Sequence, residues 1–206
     1  MRSACHTLIA LLLAAASATC GAAAVTFSFS GAVTSDPFGV SSTGAPISGS
    51  FTFDSGATDA VSGVQTGSFA SIGPEFGFVA TVDSNTFAVP GSVTVNVANN
   101  IGVDQYGVIG QSAGLTLELF MQDATASALA SDALLLTPPS LGAFAFREFR
   151  LFGADAEFLG SIDALTCLSG CTPATPVPAP GSLLLGATAL LALARSRARP
   201  TLRARS

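Results

Sequence analysis

The side chains in this sequence equipped for acid–base chemistry are carboxylates. Glu75 and Glu118 are the pair that could serve as general acid and base, as in a glycoside hydrolase. Glu118 falls on the polar parity of a regular strand pattern, where a solvated carboxylate is the plainer reading. Nucleophilic catalysis of the Ser-His-Asp or Cys-His kind lacks its base: the one histidine, His6, stands near the N-terminus, and lysine is absent. Asp54, Asp59 and Asp83 lie on or beside turns, where carboxylates can offer oxygen ligands to calcium, but no D-x-[DN]-x-[DN]-G run accompanies them. Tyr106, with exposed phenylalanines, could stack on sugars, although tryptophan is absent. Cys167 and Cys171 form a C-x3-C pair. In an exported chain this is most simply a disulfide loop, with a reactive thiol pair as the alternative. A metal pair would need two further soft or imidazole ligands, which the body lacks. No catalytic residue, metal-ligand set or cofactor is assigned from the sequence.

Charge is distributed unevenly along the 206 residues. All thirteen acidic residues lie in the middle of the chain, with only Arg147 and Arg150 of the eight arginines, so this body carries a net charge of −11. Such a surface repels phosphates, which excludes nucleic acid as a partner, and no glycine-rich phosphate loop is present. The basic residues gather at the two ends. Arg2 precedes an apolar run over residues 8–16, followed by small-residue sites at Ala16-Ser17-Ala18 and Ala22-Ala23-Ala24. This is the pattern of a secretory leader over residues 1–24, cleaved to leave Val25 first.

The C-terminal part has three pieces. Val177-Pro178-Ala179-Pro180 stays extended, because proline fixes φ and lacks an N–H. Residues 181–194 continue an uncharged, Leu- and Ala-rich stretch that begins at Val177 and is long enough to cross a hydrocarbon core of about 30 Å. Residues 195–206 are basic, with Arg195, Arg197 and Arg199 leading, and cationic flanks stay cytoplasmic. An ordinary C-terminal membrane anchor would share the helix and the arginines. The proline motif at its entrance is what a membrane-embedded protease would need.

This tripartite tail resembles the PEP-CTERM sorting signal of Gram-negative bacteria, with Ala179 where that family usually has Glu. The resemblance implies an exosortase as processing partner, cleavage near the proline motif, and release to the cell exterior alongside exopolysaccharide. The Sec machinery would handle export. The protein is thus expected in the inner membrane before processing, then at the cell surface or outside the cell. With no catalytic constellation in the body, the chain as a whole reads as a structural or interacting surface or matrix protein, not an enzyme. A carbohydrate- or calcium-binding module is the alternative, and a carboxylate-based glycoside hydrolase the third reading.

Between the ends, residues 25–166 read as a single domain, and residues 167–180 as a linker carrying the cysteine pair and the proline motif. Apolar residues alternate with polar ones at Val25/Phe27/Phe29, Ile47/Gly49/Phe51/Phe53, Phe76/Phe78/Ala80/Val82, Val93/Val95/Val97 and Leu115/Leu117/Leu119/Met121. A period of two is a strand with one buried face. Thr86 to Val89 reads as a short extended piece stopped by Pro90-Gly91. The alanine-rich residues 124–136 fit either a short helix or a loop. Phe144 and Phe146 open a strand whose parity changes at Phe149, predicting a bulge at Arg147-Glu148. Phe158, Gly160, Ile162 and Ala164 form the last inward row. Eight or nine strands joined by turns predict an all-β, antiparallel β-sandwich with jelly-roll-like order. Fifteen phenylalanines, all in the body, would fill it, between a leader helix and a transmembrane helix at the two ends.

Overall fold

A computed structural model describes residues 23–171, apart from residue 62 and residues 154–155. The leader helix, the Val177-Pro178-Ala179-Pro180 motif, the helix at 181–194 and Arg195, Arg197 and Arg199 lie outside the described residues. Among the described residues no helix is long and apolar enough to cross a membrane.

Nine strands form, in chain order: β1 Ala24–Ser35, β2 Pro46–Asp54, β3 Thr66–Val82, β4 Asn85–Ala98, β5 Asp104–Ser112, β6 Leu115–Asp123, β7 Phe146–Gly153, β8 Glu157–Ser161 and β9 Ala164–Ser169. Every pairing is antiparallel, as the alternating rows predict. Each strand from β1 to β8 lies beside the next, and β8 returns to β1 through Val33↔Gly160. The sheet is therefore a closed barrel of eight strands. β9 prolongs β8 along the same edge of β1, through Phe29↔Leu165 and Phe27↔Cys167. The ladder does not show the expected jelly-roll sandwich. Alternation reports one buried face, and a sheet closed on itself buries that face as well as two stacked sheets do.

The interior is packed with aromatic rings. Phe27 meets Phe51 and Phe53 edge-on at 5.5 and 5.3 Å, and Phe29 stacks on Phe149 at 5.5 Å. Eight-stranded barrels are just wide enough to be filled by side chains, and small residues must offset large ones. Gly49 does this for Phe29: a Cβ there would lie 2.5 Å from the ring. Facing outward are Thr26, Ser28, Ser30, Ser48, Ser50 and Thr52, the opposite parity to the rings. This arrangement is the reverse of a lipid-facing barrel, which is apolar outside and polar within.

Several local expectations are corrected. Pro90-Gly91 does not end a strand; β4 runs through it. The partner strand absorbs the irregularity, because the register passes from Ile72↔Ser92 to Gly77↔Pro90, so residues 73–76 of β3 face Gly91 alone. Proline, which cannot donate to the ladder, is tolerated at such a bulge. Gly91 takes a φ of 80°, where a Cβ is unfavourable. No bulge lies at Arg147-Glu148: β6 and β7 pair without a break from Gln122↔Phe146 to Leu115↔Gly153. Phe144 is buried in the preceding loop, after a 3-10 turn at Leu141–Ala143, and Phe146 points outward at 43% exposure. The parity change comes instead after Ile162, which is buried, as is Leu165. β9 also carries the sheet to Ser169, into the segment expected to be linker.

The two ends of the barrel differ. Short turns join β3 to β4 and β5 to β6 at one end. The β1–β2 connection at residues 36–45 shares that end, whereas the connections at residues 55–65, 99–103 and 124–145 gather at the other. Residues 124–136 form turns and bends, not a helix. Leu129, Leu134, Leu135 and Leu136 from this loop pack against the core and help cover its open end.

Candidate functional site

Most of the candidate carboxylates hold loops in place. Asp36 accepts hydrogen bonds from the N–H groups of Phe38, Gly39 and Ser41, and Asp54 from that of Gly56. Asp59 accepts from Ser68 and Val61, and these two backbone bonds hold its pKa below the ordinary carboxylate value. Asp54 and Asp59 belong to the long-loop end, whereas Asp83, at a φ of 55°, turns the chain at the other end. The structure therefore does not bring the three possible calcium ligands together. Among the described residues no three His, Cys, Asp or Glu side chains cluster as a metal site.

Asp104 and Asp123 face each other across β5 and β6, both on the inward parity, at 0% and 4% exposure. Asp104 accepts the N–H groups of Asn100 and Leu129, at 2.7 and 2.8 Å. Asp123 accepts the N–H groups of Ser127 and Thr125 and the Thr125 hydroxyl, which together hold its carboxyl far below the ordinary range. This pair anchors the covering loop. Two residues along β5, Tyr106 is fully buried, and burial raises its phenol pKa. Tyr106 is core and cannot serve as a sugar platform.

Glu75 and Glu118 are not brought together as an acid–base pair. Glu75 is exposed on the β3 bulge, and Glu118 lies three strands away on the outer face of β6. Arg150 donates to Glu118 at 3.3 Å and to Glu148 through Nε. Partial burial lowers the Arg150 pKa, but the hydrogen bond to Glu148 and the charges of Glu118 and Glu148 outweigh it. The guanidinium is held above its ordinary value. It also lies 5.1 Å from the centre of the Phe120 ring, which meets Phe146 edge-on at 6.1 Å.

That outer surface of β3 to β6 contains a groove of about 280 Å³. Its geometry follows from register. Ser68, Asn96, Gly107 and Phe120 pair successively across the four strands, and Thr66, Ala98 and Gln105 form the next row. Gly107 lacks a side chain between Asn96 and Phe120, so the row has a gap. A Cβ at Gly107 would meet Asn96 Cβ, the Leu119 carbonyl oxygen and the Phe120 ring at 3.9 Å, ordinary contact distances, so a side chain can be added there without a clash. The groove is not legible in the sequence because it depends on which strands are neighbours. One signal was present: Phe120 is an aromatic on the outward parity of a clean strand. A second hollow, of about 470 Å³, opens at the short-turn end beside Phe87, Leu115 and Leu151.

The described chain ends at a disulfide between Cys167 on β9 and Cys171, with Cα atoms 6.0 Å apart. No family model, curated protein or solved structure matches the chain.

Proposed function

We propose that this chain is an exported protein with a PEP-CTERM-type tail, and that its barrel serves by contact, as a surface or matrix component, not by catalysis. The observation that carries the contact reading is the use of the carboxylates. Glu118 and Glu148 neutralise Arg150, while Asp36, Asp54, Asp59, Asp104 and Asp123 accept backbone N–H groups. A carboxylate fixed in that way is poorly placed to shuttle protons. The body has the properties of a durable exterior module: an aromatic interior, a hydroxyl-rich outside, a covered end and a disulfide suited to an oxidising compartment.

In this reading the Sec machinery exports the chain and the helix at 181–194 holds it in the inner membrane. An exosortase then cuts near Val177-Pro178-Ala179-Pro180, and Arg195, Arg197 and Arg199 keep the tail oriented inward. The test is fractionation of cells carrying Pro178→Ala together with Pro180→Ala. The doubly substituted chain should accumulate in the inner membrane while the parent leaves it. Equal release of both would overturn the sorting role.

A further inference from the structure

We propose that the outer groove across β3 to β6 binds a neutral sugar unit of a glycan, seated over Gly107 and beside the ring of Phe120. The inference rests on the reading of the barrel as a contact module and names what one of its surfaces contacts. Four observations converge on it.

The first is space. The groove holds about 280 Å³, close to the lower limit of about 300 Å³ for small-molecule sites, which suits one or two sugar rings. The second is hydrogen-bonding character. Thr66, Ser68, Asn96 and Gln105 present hydroxyls and carboxamides, groups that both donate and accept, as sugar hydroxyls do. The third is an apolar wall held in one orientation. Phe120 is fixed by Arg150 on one side and Phe146 on another, so it offers C–H contact without needing to be ordered on binding. The fourth is the missing side chain at Gly107, which lowers the floor of the row between Asn96 and the Phe120 ring, the side chains nearest to that buried glycine.

Other ligand classes fit less well. An anion would meet a body of net charge −11, and the nearest cation, Arg150, is already held by two glutamates. A cation would find one carboxylate at the groove, Glu118, itself paired. A peptide adding as a strand needs a free edge, and β4, β5 and β6 are paired on both sides.

The geometry at Gly107 supplies the test. Gly107→Val fills the groove, while its Cβ meets only ordinary contacts at 3.9 Å, and a β-branched residue suits a strand. The full-length chain, purified in mild detergent, is titrated by calorimetry with cellohexaose, laminarihexaose, maltohexaose and mannohexaose, and with polygalacturonate as an acidic control. Saturable binding of at least one neutral hexasaccharide is expected. Gly107→Val should weaken that binding at least tenfold with Tm unchanged or raised, and Phe120→Ala should weaken it by a similar factor. The proposal is overturned if all four neutral probes fail to bind the folded chain, if Gly107→Val leaves the binding unaltered, or if polygalacturonate binds as tightly. Such failures would leave processing of the tail intact, since that is read from cell fractions and not from the groove.

Discussion

The two outward faces of the barrel occupy equivalent positions on the same sheet and are chemically unlike. On β1 and β2 and at Thr166 of β9 most outward side chains are short hydroxyls, with Leu168 of β9 exposed beside them, and two pairs bond across strands: Thr26 with Thr52 at 3.0 Å and Ser28 with Thr166 at 2.8 Å. On β4 to β7 the outward side chains are long and varied: Asn96, Gln105, Glu118, Phe120, Glu148 and Arg150. Cross-strand hydroxyl pairs tie the strands of the first face together with short side chains. The second face has an aromatic ring, an ion-paired guanidinium and amides around a gap, which is the grammar of a recognition surface. Register alone places them there, so the difference between the faces is one of side-chain choice upon a common frame.

The largest expected effects test whether the frame really is common. Phe27→Ala lies beneath the hydroxyl face and Phe149→Ala beneath the varied one; both rings are fully buried. Each substitution should cost about 3–5 kcal/mol in urea unfolding. A difference of several kcal/mol between them would show that the faces rest on separate cores. Next comes the covering loop, which belongs to the long-loop end and to neither face. The Asp123 pKa is depressed by folding, so its contribution is complete above the ordinary carboxylate pKa, near about 3.9, and is lost as pH falls below that value. Asp123→Asn should therefore lower Tm at neutral pH, and the gap from the parent should narrow towards pH 2.5. A gap constant across that range would remove Asp123 as the loop's anchor.

Smaller effects separate the faces themselves. Arg150→Ala should cost about 1 kcal/mol, because partly exposed ion pairs and ring contacts are each weak, and should loosen Phe120. Thr26→Val on the hydroxyl face should change stability by less than about 0.5 kcal/mol and leave glycan binding untouched. If Thr26→Val weakened binding as much as Phe120→Ala, the assignment of recognition to the varied face would fail.

The sequence made the strands and their inward rows legible, since parity is a local property: Phe27, Phe51, Phe78 and Leu119 all face the core as alternation requires. Closure of the sheet was not legible, because the Val33↔Gly160 pairing joins residues far apart in the chain. Continuation of β4 through Pro90 is hidden for a related reason, since proline is tolerated there only because of extra residues in β3. Phe146 shares its parity with Phe144 in the sequence, yet the ladder to Gln122 turns it to the water side. Tyr106 is the opposite case, a residue with a polar tip on an inward position. The groove combines all of these dependencies, as its parts come from four strands.

In the proposed reading the ends of this chain are removable and the barrel is what reaches the exterior. Intact mass of the protein recovered from outside the inner membrane tests it most directly. The account predicts a chain beginning at Val25 and ending near Pro180, with Cys167 and Cys171 oxidised. A mass that retains residues 195–206 would contradict it.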